Sequence, residues 1–345
     1  MPPESLAALD IGGGTQDFLV WRAGQRIENA FKMVAPSPTQ VAAARIRRAR
    51  AQGRPVFLSG HLMGGGALSR AVDEHLQAGL EVWAGREAAL SLADDLDRVR
   101  GMGVKIGEEA PAQAVVIPTT DLDLQALQAT LAAFESPWPQ ALAVAVCDHG
   151  YSPHTSNRKF RFQMWKDFLD RGGRLEDLIS DDPPAHLTRL RALVEQAPGA
   201  LVMDTAAAAL WGALQDPAVA ARAEAGLCVV NLGNMHTVAF IARGREVLAV
   251  YEHHTRCLDR DKLQDHIQRF IAGRIDDQEV FDDRGHGCAR RPGAPTTLEG
   301  PVVITGPQRR LARGLGWQTA VPFGDVMLSG CFGLVAAARR YWEGA

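Results

Sequence analysis

The run Asp10-Ile-Gly-Gly-Gly-Thr15 places a carboxylate, three successive glycines and a hydroxyl within six residues. Glycines let the backbone turn tightly and bring bare N–H groups against an oxyanion. Thr15 adds a hydroxyl donor. Asp10, at the end of an apolar strand, can hold Mg2+ through water, as hard cations at phosphate sites prefer. Gly12, Gly13 and Gly14 are therefore candidates to cradle phosphate, against the plainer reading of a glycine hairpin with a turn aspartate.

A second polar set is spread along the chain. Asp148-His149-Gly150 follows the apolar run Ala141–Cys147, and His154, Asn157, Arg158 and Arg161 come soon after. Glu252-His253-His254-Thr255 ends another strand, and His286 and Cys288 sit in a glycine-rich stretch. Strand ends in parallel sheets are where ligands bind. A histidine there can act as acid or base, and arginines can clamp a carboxylate or phosphate. Imidazole and thiolate also bind zinc or iron. No segment has a tight metal spacing, and loop histidines that only hydrogen-bond are the commoner case. The expectation is a metal-free substrate pocket with Asp148 or His149 activating an acceptor, and no transition metal. The loop Gly60–Gly66 lacks the lysine and Ser/Thr of a P-loop and reads as a structural turn.

These residues need strands that end at a common cleft. Strands are expected over 6–11, 17–22 and 26–33, then at 55–59, 80–84, 141–147 and 200–203. Helices are expected over 39–52, 67–78, 86–100, 119–134, 159–169, 187–196 and 206–214. Strand-turn-strand then recurs at 227–232, 237–242 and 246–252. A helix over 259–271, an irregular insertion over 278–297, a strand at 301–305 and a closing helix over 327–341 follow. Strands alternating with helices make the chain α/β. A unit repeated about 220 residues apart suggests two related lobes.

Composition narrows the class. The 345 residues suffice for about two domains at ~150 residues each. A net charge of −3 offers no basic excess for a nucleic-acid partner. No apolar run approaches the ~20 residues of a membrane span, and Met1-Pro-Pro-Glu does not open a secretory signal. Five scattered cysteines point to reduced thiols and a cytoplasmic location.

Five segments together resemble the actin, sugar-kinase and heat-shock-chaperone superfamily: Asp10–Asp17, Leu201–Leu214, Cys228–Ile241, Val302–Leu311 and Val326–Tyr341. They occur in that superfamily's order and span nearly the whole chain. The resemblance implies a two-lobed actin-like ATPase fold of duplicated ribonuclease H-like domains, with ATP and Mg2+ in the cleft between lobes. It divides the chain into an N-terminal lobe, 1–204, and a C-terminal lobe, 205–345. It implies that Asn231 and Gly233 lie across the cleft, that Gly306 lies beside the nucleoside, and that Asp204 lies near a metal or water ligand. Asn231 stands where the superfamily usually has aspartate, and Asn234 and Met235 where it has glycines. Asparagine carries no charge for Mg2+, so binding is better supported than hydrolysis.

Asp148-His149-Gly150, Asn157–Arg161, Met63–Gly66 and Gly285-His286-Gly287 resemble a family within this superfamily, sometimes labelled pyruvate formate-lyase-activating proteins. That label implies a radical S-adenosylmethionine enzyme with a Cys-x-x-x-Cys-x-x-Cys cluster site, which this chain lacks. The functions expected are ATP-dependent phosphotransfer or hydrolysis on a small polar substrate, ATP-dependent activation of a partner metalloenzyme, or nucleotide-binding regulation without turnover.

Overall fold

The strand β1 (Ser5–Ile11) is buried on both faces and pairs antiparallel with β2 (Thr15–Arg22), which pairs in the same sense with β3 (Phe31–Pro36). These strands belong to a computed structural model that describes residues 2–344. A separate parallel sheet follows, with β4 (Val56–Gly60), β5 (Val82–Ala84), β6 (Lys105–Ile106) and β7 (Val115–Thr119) in the order β6-β5-β4-β7. The chain then returns to the first sheet through β8 (Ala141–Val146), β9 (Ile179–Ser180) and β10 (Leu201–Asp204). Its order is β3-β2-β1-β8-β10-β9, with β8 parallel to both β1 and β10. Flanked on both sides, β8 reads Ala-Leu-Ala-Val-Ala-Val, the continuous apolar run of an interior parallel strand.

The second sheet repeats this plan. Its strands are β11 (Leu227–Leu232), β12 (His236–Arg243), β13 (Glu246–His254), β14 (Gly287–Arg290), β15 (Val302–Thr305) and β16 (Gln318–Thr319). The order β14-β13-β12-β11-β15-β16 again joins an antiparallel meander to parallel strands at the first meander strand. The helix Thr205–Ala213 packs against β11 and β15, and Ser329–Gly344 packs against β1, β2 and β8. The two helices also pack on each other. One core therefore runs through both sheets, from Ala8, Leu19 and Ala143 to Val229, Phe240 and Val303. No helix among the described residues is long and apolar enough to cross a membrane.

Several local expectations are corrected. The helix expected over 86–100 is two short ones, Arg86–Ala89 and Leu96–Gly101, because the Asp95 side chain caps the second by accepting from Asp97 N–H. The helix expected from residue 119 begins at Leu124, and Val115–Thr119 is a strand instead. Pro118 is tolerated there because β7 is an edge strand. The strand expected over 26–33 is a short 3-10 turn, Ile27–Asn29, followed by β3. The stretch 278–297 is not wholly irregular, since it contains most of the helix Asp277–Asp282 and all of β14.

Candidate functional site in the interlobe cleft

The hairpins β1–β2 and β11–β12 are built alike. Gly12 N–H donates to Thr15 C=O at 2.9 Å, and Gly233 N–H donates to His236 C=O at 3.0 Å. Asp10 pairs with Asp17 in the first, and Asn231 pairs with Val238 at the matching positions of the second. Both hairpins line one cleft of about 350 Å³, together with Gly306, Thr205 and the loop Leu62–Gly66. The two turns meet closely. A Cβ at Gly13 would overlap the Met235 side chain, and one at Gly14 would overlap the Asn234 amide. Bulk on the second loop thus fills the space above the glycines of the first. Gln308 holds Asn234 in place by donating to its Oδ1 at 2.8 Å.

Beneath the glycine loop, β-strand register puts Asp10 and Asp17 side by side. Thr205 Oγ1 donates to Asp10 at 2.6 Å. Gly330, at the start of the last helix, comes so close that a Cβ would overlap the Asp10 carboxylate. Burial raises the Asp10 carboxyl to about 7. Burial, and then the neighbouring Asp10, raise Asp17 to about 8. One Asp17 oxygen is buried with no hydrogen-bond partner. Two crowded carboxylates with a free oxygen suit a hard cation of the Mg2+ type.

Other expected residues are already engaged. Asp148 accepts from Gly150 N–H through one oxygen, and from Arg189 and Leu190 N–H through the other. Its carboxylate holds the start of the helix Thr188–Gln196 and is not free to activate an acceptor. Asp204 caps its own helix through Ala206 N–H and accepts two bonds from Arg161 at 2.7 and 3.2 Å. Arg161 is 2% exposed and also donates to Glu252 at 2.7 and 3.0 Å and to Asp148 C=O. It is a buried structural hub, not a substrate clamp. Arg158 donates to the carbonyls of Phe281 and Gly285 and so fixes the turn before His286. Asn157 lines the cleft and donates to Asp94. His154 is exposed and is not among the cleft-lining residues.

The histidines separate by strand alternation. His254 and Glu252 share one face of β13, and His236 pairs directly with His254 across the ladder. His149 and His286 join them from two loops. Ring centroids lie 5.1 Å apart for His149–His236, 4.7 Å for His236–His286 and 4.8 Å for His254–His286. Burial drives the His149 and His254 imidazoles down to about 4, which leaves them neutral at pH 7. His253 points to the opposite face. There it meets Asp283 at 3.0 Å and lies beside Tyr251 and His266. It does not belong to the cleft pocket expected for it. His236 and Asp17 were not singled out from the sequence as functional, and Glu252 was named only as part of the strand end Glu252–Thr255. The period-2 pattern across the two hairpins is the signal that pairs His236 with His254.

Duplicated sheets, each a meander joined to parallel strands, with exchanged helices and a hairpin-lined cleft between them, define the two-lobed actin-like ATPase fold. Within that class, the chain belongs to the family described as "Putative pyruvate format-lyase activating enzyme (DUF1786)", which matches residues 63–311. Among solved structures, an exopolyphosphatase-like protein is 11% identical, over 88% of this chain and 66% of its own, with a TM-score of 0.30. The activator of the 2-hydroxyisocaproyl-CoA dehydratase from Clostridium difficile, with bound ADPNP, is 8% identical over 99% and 96%, TM-score 0.31. A ROK family glucokinase from Streptomyces griseus, in complex with glucose and AMPPNP, is 13% identical over 99% and 100%, TM-score 0.33. No curated protein matches the chain. The family's description does not carry a cluster chemistry to these cysteines. Cys228, Cys288 and Cys331 are buried, and the groups able to hold a metal among the described residues include one cysteine, Cys147.

Proposed function

We propose that this protein binds the phosphates of a nucleoside triphosphate, with Mg2+, in the interlobe cleft. One observation carries the reading: Asp10 and Asp17 sit side by side under a glycine hairpin, and one Asp17 oxygen is buried without a donor. Asp17 directly and Asp10 through water would hold Mg2+, which neutralises phosphate charge when bound. The backbone of Gly12–Gly14 and the Thr15 hydroxyl would face the phosphates, with Gly306 beside the nucleoside. Met235 and Asn234 fill that space, so the two hairpins must separate for the ligand to enter. Turnover would be slow, because Asn231 brings no second carboxylate to the opposite side. A small polar acceptor would enter beside His149 and His236, which line the same cleft. A regulator that binds nucleotide without turnover is the second reading, favoured by the same Met235 and Asn234.

Thermal shift with ATP and Mg2+ tests the proposal. At 100 times its dissociation constant, a ligand of the native state adds about 2.7 kcal/mol. Gly13→Val should abolish the shift while leaving the protein folded. A variant that responds as the parent does, or a parent with no response, rejects the assignment.

A further inference from the structure

We propose that His236, His254 and His286 form a mononuclear site for a divalent first-row transition metal at the edge of the cleft, with His149 and Cys147 on its open side. The inference is independent of nucleotide binding. Imidazole nitrogens of the three histidines lie within 4.8 Å of one another, as do ligand atoms of Cys147, His149 and His236. Imidazole donors of this number suit Zn2+, Fe2+, Ni2+ or Cu2+.

Each ring keeps a nitrogen free of protein partners. His254 Nδ1 lies 2.7 Å from the Arg284 carbonyl. A carbonyl can only accept, so Nδ1 carries the proton and Nε2 is left for a ligand. His236 Nδ1 lies 2.6 Å from Glu252 Oε1, the carboxylate partner that orients metal-bound histidines. Arg161 and Trp165 hold Glu252 in turn. His286 is 1% exposed, and neither of its ring nitrogens has a hydrogen-bond partner. Such a buried, unpartnered imidazole is costly unless something binds it. Charge agrees with geometry: one Arg161 guanidinium stands between two carboxylates, Asp204 and Glu252, leaving a negative charge for a cation to balance.

The other face of β13 supplies the contrast. His253, His266 and Asp283 also cluster. There His253 uses both ring nitrogens, on His254 C=O and Asp283, and Tyr251 bonds His266. The Lys262 ammonium sits on Asp283 at 2.5 Å and takes the place of a cation. That group is complete as it stands.

The experiment uses the untagged full chain, stripped with a chelator and titrated with Zn2+ and with Co2+ alone. Elemental analysis should find about one metal per chain, and Co2+ should develop visible d–d absorption. Single His254→Ala and His286→Ala variants should each lose at least 10-fold in affinity, and Glu252→Gln about 10–100-fold, as loss of an orienting partner does. His253→Ala, on the opposite face, should bind as the parent does. Circular dichroism establishes that each variant is folded. A parent that takes up neither metal stoichiometrically, or a folded His286→Ala that binds equally well, overturns the site. So does a His253→Ala variant that loses metal as His254→Ala does.

Discussion

The hairpins Asp10–Asp17 and Asn231–Val238 share length, register and turn hydrogen bond, yet they carry opposite chemistry. The first has glycines at its tip and carboxylates at its base. The second has Asn234 and Met235 at its tip, an amide and a valine at its base, and His236 where the first has Thr15. Duplicated backbone thus presents a phosphate-type corner on one lobe and an imidazole corner on the other. The comparison shows that a β-hairpin frame constrains where side chains point, while what they do depends on which atoms the frame offers.

Arg161 is the cation common to both corners, through Asp204 beside Asp10 and Glu252 behind His236. Breaking it should have the largest effect. Arg161→Met leaves two carboxylates unpaired in the interior and should cost about 3–5 kcal/mol of stability in urea unfolding. A loss below about 1 kcal/mol, the worth of an exposed pair, would separate the two corners.

Removing the bulk that distinguishes the second tip comes next. Met235→Ala should tighten Mg2+–ATP binding about tenfold, or ~1.4 kcal/mol, by calorimetry. Unchanged affinity would mean that Met235 does not obstruct the glycine loop.

The carboxylate pair should give the first corner a pH signature opposite in sign to that of the second, where His149 and His254, pushed down to about 4, favour the fold more as pH rises towards 6.5. Asp10 and Asp17 titrate in the fold at about 7 and about 8, above the ordinary 3.8. The fold therefore favours their protonated forms. Their contribution to stability falls as pH rises from about 4 to about 8, then levels off. Mg2+ added at pH 8 should restore part of the loss, and Asp17→Asn should flatten the profile. A melting temperature that rises above pH 6.5, beyond the histidine window, in both proteins would contradict the pairing.

The smallest change is expected from making the second base resemble the first. Asn231→Asp should raise Mg2+-dependent ATP hydrolysis about threefold. A parent protein that already turns over ATP faster than this variant would remove the view of the second hairpin as the weaker half.

The sequence by itself determined the α/β class, the repeated hairpin and the order of the segments, because apolar runs, glycine turns and strand alternation are local signals. Asp10, Gly12–Gly14 and Thr15 were legible for the same reason: they are neighbours along one turn. The short strands β6, β7, β9 and β16 were not, since two to five residues carry little periodicity and are held by their neighbours in the sheet. Only the tertiary structure decided which polar residues were free. Asp148, Asp204, Arg158 and Arg161 look like site residues in a linear reading, but their partners lie from 2 to 127 positions away and occupy them. His253 and His254 are adjacent in the chain and face opposite sides of β13, so alternation sends one to Asp283 and the other to His236 and His286. The imidazole group draws on His149, His236, His254 and His286, four positions that only the folding of two sheets onto one cleft can bring together.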